Sequence, residues 1–196
     1  MIVHTILTYW LEEVGPNGWY AGSPALDADI RTRFAPLWAQ EQLGEAGVTD
    51  WPDTPDGALA RILLLDQFSR NMFRGSARAY ASDPAALAAA KAALVAGYDL
   101  EISVPARQFF YLPFMHAEDL AAQDRAVDLF DSRMPGDNSR HARAHRAVIA
   151  RFGRFPWRNP ELGRDTTPEE AAFLEAGGYA HALQEIPAIE PSSKIV

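Results

Sequence analysis

A chain of 196 residues, 48% of them apolar, is long enough to bury a sizeable core, and its lack of cysteine excludes disulfides and thiolate chemistry. A net charge of −8 argues against wrapping nucleic acid, and no apolar run approaches the ~20 residues that span a membrane, so a cytoplasmic protein without membrane or nucleic-acid partners is expected. Residues 1–13 lack the basic start and small-residue cleavage site of a secretory leader and read as a first helix.

In chain order, the spacing predicts helices over 4–13, 24–46, 55–70, 84–96, 105–112, 117–133, 139–152 and 168–176. Ser23-Pro24, Thr54-Pro55, Asp83-Pro84 and Thr167-Pro168 each set a capping side chain before a proline. At the first helical position that ring forfeits no hydrogen bond. Thr167 with Glu170 forms a capping box. Pro36 predicts a kink or break in the second helix, and Pro113 a boundary between the fifth and sixth. Gly97 and Gly177-Gly178 read as stops. The turn Ile62-Leu63-Leu64-Leu65 is apolar all round, which marks 55–70 as the central, most buried helix. No stretch alternates as a strand does, so the fold class is all-α, with a single domain over 1–184 and a tail over 185–196.

Three polar blocks stand inside aromatic sequence: LLLDQFSRNMFRG (63–75), RQFFYLPFMHAED (107–119) and HRAVIARFGRFPWRN (145–159). Buried charge is costly unless paired, so each block either locks a core or builds a site. Arginine outnumbers lysine sixteen to two, and seven arginines fall between Asn138 and Arg164 against the single acid Glu161. Forked guanidinium groups suit carboxylates and phosphates.

Asp66 precedes Arg70 by one helical turn, the favourable order for an ion pair, with Asn71 and Arg74 at the helix end. Arg107 and Tyr111 share a face, followed by His116, Glu118 and Asp119. His141 and His145 are four apart, and the loop 151–159 alternates arginines with rings. Three readings follow. In the first, Arg70, Asn71, Arg74, Tyr111, His116, Arg154 and Arg158 line a pocket for a small anion or an acidic peptide. In the second, His116 or His145 serves a hydrolase as base or metal ligand, with Asp66, Glu118 or Asp119. In the third, the blocks are an internal salt-bridge network, with Asp66–Arg70 paired, Glu118 and Asp119 in a helix's first turn, and the last helix pinned by arginines on Asp66, Glu118 or Asp119. No strong metal motif, phosphate loop or nucleophile elbow is present, and no cofactor is expected.

Several stretches resemble the bacterial family known as domain of unknown function 924. They are Tyr9-Trp10, GPNGWY (15–20), DADIRTRF (27–34), LLLDQFSRNMFRG, FFYLPFMHAEDLAAQ (109–123), RFGRFPWRN (151–159) and LGRDTTPEEAAFL (162–174), so the likeness runs from about 5 to 180. Ser69, Ala117 and Trp157 stand where proline, serine and histidine are common in that family. The resemblance implies an all-helical, tetratricopeptide-like (TPR-like) stack of antiparallel hairpins around the central helix. It implies no activity.

Overall fold

A computed structural model describes residues 1–43 and 51–188. All regular structure among them is helical, and no described helix is long and apolar enough to cross a membrane. They cluster in two compact units, Met1–Pro113 and Phe114–Val196.

The first unit starts with α1 (Ile2–Leu7), which continues into a π-wound stretch, Thr8–Val14, and a short turn, Gly15–Gly18. Helix α2 (Pro24–Leu43) starts where the serine predicted it, with the Leu26 amide donating to Ser23 Oγ at 3.1 Å. Pro36 does not break it: the missing N–H removes one bond from the ladder without ending the helix, and the end expected at 46 lies outside the described residues. Helix α3 (Pro55–Ile62) is capped by Thr54, which accepts from the Gly57 amide. Gly57 is required there: a Cβ would lie 2.1 Å from the Pro52 carbonyl oxygen.

The apolar run then widens into a π-wound turn, Leu63–Phe68, before Ser69–Met72 resumes the α-helix. Every residue from Ile62 to Ser69 is buried, as the all-round apolar pattern requires. The Leu65 carbonyl accepts from Ser69 Oγ (2.8 Å) and Ser82 Oγ (2.6 Å), and the Asp66 carbonyl from Arg70 Nη1 (2.7 Å). Trp10 and Phe34 pack on Phe68 at 5.4 and 4.7 Å, and Trp19 on Phe109 at 4.8 Å. Helix α4 (Asp83–Ala96) ends at Gly97 with φ +80°, a conformation that glycine adopts without strain.

The second unit is built on α5 (Leu120–Arg133) and α6 (Asp137–Phe152), joined by a tight turn, then α7 (Pro168–Glu175) and α8 (Tyr179–Glu185). Its core gathers Val148, Ile149, Phe155, Phe173 and Ala182, with Phe152, Trp157 and Leu174 packed against them. The stretch expected as a helix over 105–112 is a tighter 3-10 turn, Ala106–Phe110, and two boundaries beyond it also differ from expectation. Pro113 lies inside a short helical turn, Leu112–Met115, and α5 begins at Leu120 because Asp119 is its N-cap, accepting from the Ala122 amide at 2.7 Å. Helix α8 was not anticipated. Of the expected tail, 189–196 lies outside the described residues.

Candidate functional site

In the first unit the predicted site residues are bonded to one another and to acids elsewhere in the chain. Asp66 is 1% exposed and accepts from Gln67 Nε2 at 2.6 Å, and Arg70 Nη1 lies 3.2 Å from it. Arg70 also reaches Asp83 at 3.1 Å, so Asp83, at the start of α4, serves as a counter-ion where a cap was expected. Arg74 lays its fork on Asp27, with Nε to Oδ2 at 2.7 Å and Nη2 to Oδ1 at 3.0 Å, and reaches Asn71 Oδ1 at 3.1 Å. Tyr111 is fully buried and donates to Asp99 Oδ2 at 2.7 Å, so it belongs to the core and not to an open wall.

In the second unit the same economy holds. Glu118 takes both Arg164 nitrogens, at 2.9 and 2.7 Å, and the Phe155 amide at 2.9 Å. Burial works to raise its carboxyl, but the Arg164 and Phe155 bonds and the nearby Arg158 charge outweigh that and leave it below the usual carboxylate range. Arg158 is 6% exposed. Its guanidinium lies 4.7 Å from the centre of the Phe155 ring and donates to the His116 carbonyl at 3.0 Å.

Arg154 clasps Glu170, 2.6 Å from Nε to Oε1 and 2.8 Å from Nη2 to Oε2, where Asp66, Glu118 or Asp119 had been expected. The Thr167 capping box closes on the same carboxylate. Chiefly through the Arg154 bonds, Glu170 is drawn down to about 2.

Geometry sets the tautomer of His145. Its Nδ1 faces the His141 carbonyl at 2.9 Å, which only accepts, so Nδ1 carries the proton and Nε2 the lone pair. The ring is walled by Tyr179 at 4.7 Å, Phe155 at 5.5 Å and Trp157 at 6.2 Å, with His116 at 6.4 Å. Burial, first of all, pushes it down to about 3, and the charge of neighbouring histidines and Arg158 adds to this. The ring is therefore neutral near pH 7 and a weak base. His141 Nδ1 pairs with the Tyr179 hydroxyl. Among the described residues no group of three or more His, Cys, Asp or Glu is placed to hold a metal ion.

The first unit also carries a cleft of about 370 Å³, which the pattern reading did not anticipate. Tyr9, Glu13 and Val14 come from the π-wound stretch, Ala21 and Gly22 from the following loop, and Leu26 and Asp29 from the start of α2. Tyr9 donates to Asp29 Oδ2 at 2.9 Å, and burial and that carboxylate together push its hydroxyl above the ordinary range. Arg33 donates to Asp29 Oδ1 at 2.9 Å and to Glu13 Oε2 at 3.2 Å, with its guanidinium 4.7 Å from the centre of the Tyr9 ring. The available signal was the i, i+4 pair Asp29–Arg33 inside a family-like stretch. The Tyr9–Asp29 bond spans twenty residues and has no local signature.

A family model described as "Bacterial protein of unknown function (DUF924)" matches residues 6–178. No curated protein matches the chain. The solved structure of ATU0120, a protein of unknown function from Agrobacterium tumefaciens, is similar to it. The two are 43% identical, the match covers 89% of this chain and 97% of that one, and the TM-score is 0.83.

Proposed function

Since this chain belongs to the DUF924 family of bacterial proteins of unknown function, we propose on its own geometry that it is a non-catalytic binding protein for a small molecule, seated in the cleft beside Tyr9. The observation that carries the reading is the cleft itself. Its volume of about 370 Å³ falls in the range of ligand sites, and it combines apolar walls (Val14, Leu26, Ala21) with a few polar groups (Tyr9, Glu13, Ser23, Asp29).

In this reading the arginine blocks act as fasteners. Arg70, Arg74 and Arg154 each donate to carboxylates of the chain, and Arg158 to a backbone carbonyl. An incoming anion would meet guanidinium groups whose charge is already largely offset by the chain's own carboxylates. The hydrolase reading has less support: its acids are already engaged, Asp66 with Arg70, Glu118 with Arg164 and Asp119 as the α5 cap, and burial lowers the His145 candidate away from the range in which a general base works best.

The test is a fragment panel of neutral, anionic and cationic compounds, screened by saturation-transfer NMR against the wild type and Ala21→Trp. Ala21 is exposed and lines the cleft, so a bulky side chain there fills the space without touching the core. At least one class is expected to bind the wild type and lose its signal in the variant. At ~100 times its dissociation constant such a ligand adds about 2.7 kcal/mol of stability. Signals equal in both proteins, or none in either, would refute the cleft as the seat.

A further inference from the structure

We infer that the ligand of this cleft carries a positive charge on an apolar stem, as an alkylammonium or alkylguanidinium does; this rests on the cleft being the binding seat. The lining brings two carboxylates, Glu13 and Asp29, and no cation of its own. The guanidinium that bonds to them, Arg33, is shared between both, and Arg74, which lies beside Gly22, is offset by its own partner Asp27. Two negative charges against one positive leave the wall with a net negative charge. An entering cation meets attraction, and an entering anion meets repulsion in a space with one apolar side.

The two carboxylates are not equivalent. Asp29 uses both oxygens, Oδ1 on Arg33 and Oδ2 on the Tyr9 hydroxyl. Glu13 meets Arg33 through Oε2, and its side chain is 52% exposed, so Oε1 is the acceptor positioned to take a ligand's N–H. The tyrosine has committed its proton to Asp29 and can offer a ligand only acceptor lone pairs. Apart from the Ser23 hydroxyl, which accepts from the Leu26 amide and keeps its own O–H to give, the polar side-chain groups of this wall accept, and a cationic, donor-rich head group complements them. Arg33 is a working example within the same wall: a guanidinium held by these two carboxylates and stacked on this ring. Val14 and Leu26 supply the apolar surface on which a methylene stem would lie.

The test compares three probes with one stem: hexylammonium, hexanol and hexanoate. Each is titrated into isotopically labelled full-length protein while the Ala21 and Gly22 amide shifts are followed. Hexylammonium is expected to bind about tenfold more tightly than hexanoate and to weaken as salt is raised. Glu13→Gln, at an exposed position, should weaken hexylammonium about three- to tenfold and leave hexanol unchanged. Hexanoate or hexanol binding as tightly as hexylammonium, or a Glu13→Gln variant with unaltered affinity, overturns the cation assignment. If hexanol then still shifts Ala21 and Gly22, and loses the effect in Ala21→Trp, the cleft stands and only the charge is wrong. If no probe moves those amides, both proposals fall.

Discussion

Glu170→Gln isolates the densest polar junction of the second unit. Glu170 Oε1 accepts from Arg154 Nε at 2.6 Å, and Oε2 from Arg154 Nη2 and the Thr167 amide at 2.8 Å each and from Asn159 Nδ2 at 3.2 Å. Glutamine keeps the shape but has one oxygen, so whichever way it turns its NH₂ faces a donor. A carboxyl held near 2 against an ordinary 4.5 is worth roughly 3 kcal/mol to the fold. Breaking a buried pair costs ~3–5 kcal/mol, and Arg154, 29% exposed, can turn to water, so the lower end applies. For a chain of this length that is about 6–12 °C in Tm. The sign with pH follows from the depressed carboxyl. Its contribution is complete above about 4.5 and is lost as pH falls through about 2, so wild type and variant should converge over that window. Urea unfolding at pH 7, 4 and 2, with hydrogen exchange of the α7 amides, measures this. A gap below ~1 kcal/mol at pH 7, or one as wide at pH 2 as at pH 7, would refute the reasoning.

Asp66→Ala should cost about 3 kcal/mol in urea unfolding, since Arg70 loses a buried partner but keeps Asp83. Arg74→Ala, whose side chain is 56% exposed, should cost no more than about 1 kcal/mol in the same assay despite its bidentate geometry. Gly57→Ala forces a methyl against the Pro52 carbonyl and should cost ~1–3 kcal/mol, read as a lower Tm. Nitrogen-15 NMR should show His145 neutral at pH 5 with its proton on Nδ1. Because its folded pKa is depressed, the stability it contributes falls as pH drops from 6.5 toward 3, and His145→Phe should flatten the loss between 6.5 and 4.5.

What the chain reveals on inspection is whatever acts within a turn or two. Thr54 and Thr167 cap where their spacing to Pro55 and Glu170 says they should, Gly97 stops its helix, and Asp66 meets Arg70 at i, i+4. The Leu63–Leu65 run is buried because no face of it can be left in water. These outcomes are settled by local geometry, so the all-helical class and the most buried segment were readable.

The partners of Arg74, Arg154 and Arg164 were not. Arg74 finds Asp27 across forty-seven residues, Arg154 finds Glu170 across sixteen, and Glu118 takes Arg164 across forty-six. Nothing in the linear order favours those acids over the ones closer by. The Leu65 carbonyl takes Ser82 Oγ from seventeen residues away besides the local Ser69 Oγ, and the cleft forms where the Thr8–Val14 stretch and the start of α2 meet with small residues between. Periodicity and capping fix which faces turn inward. Which charge meets which, and where the surface opens, is decided only when packing brings distant segments within the few ångströms over which hydrogen bonds act.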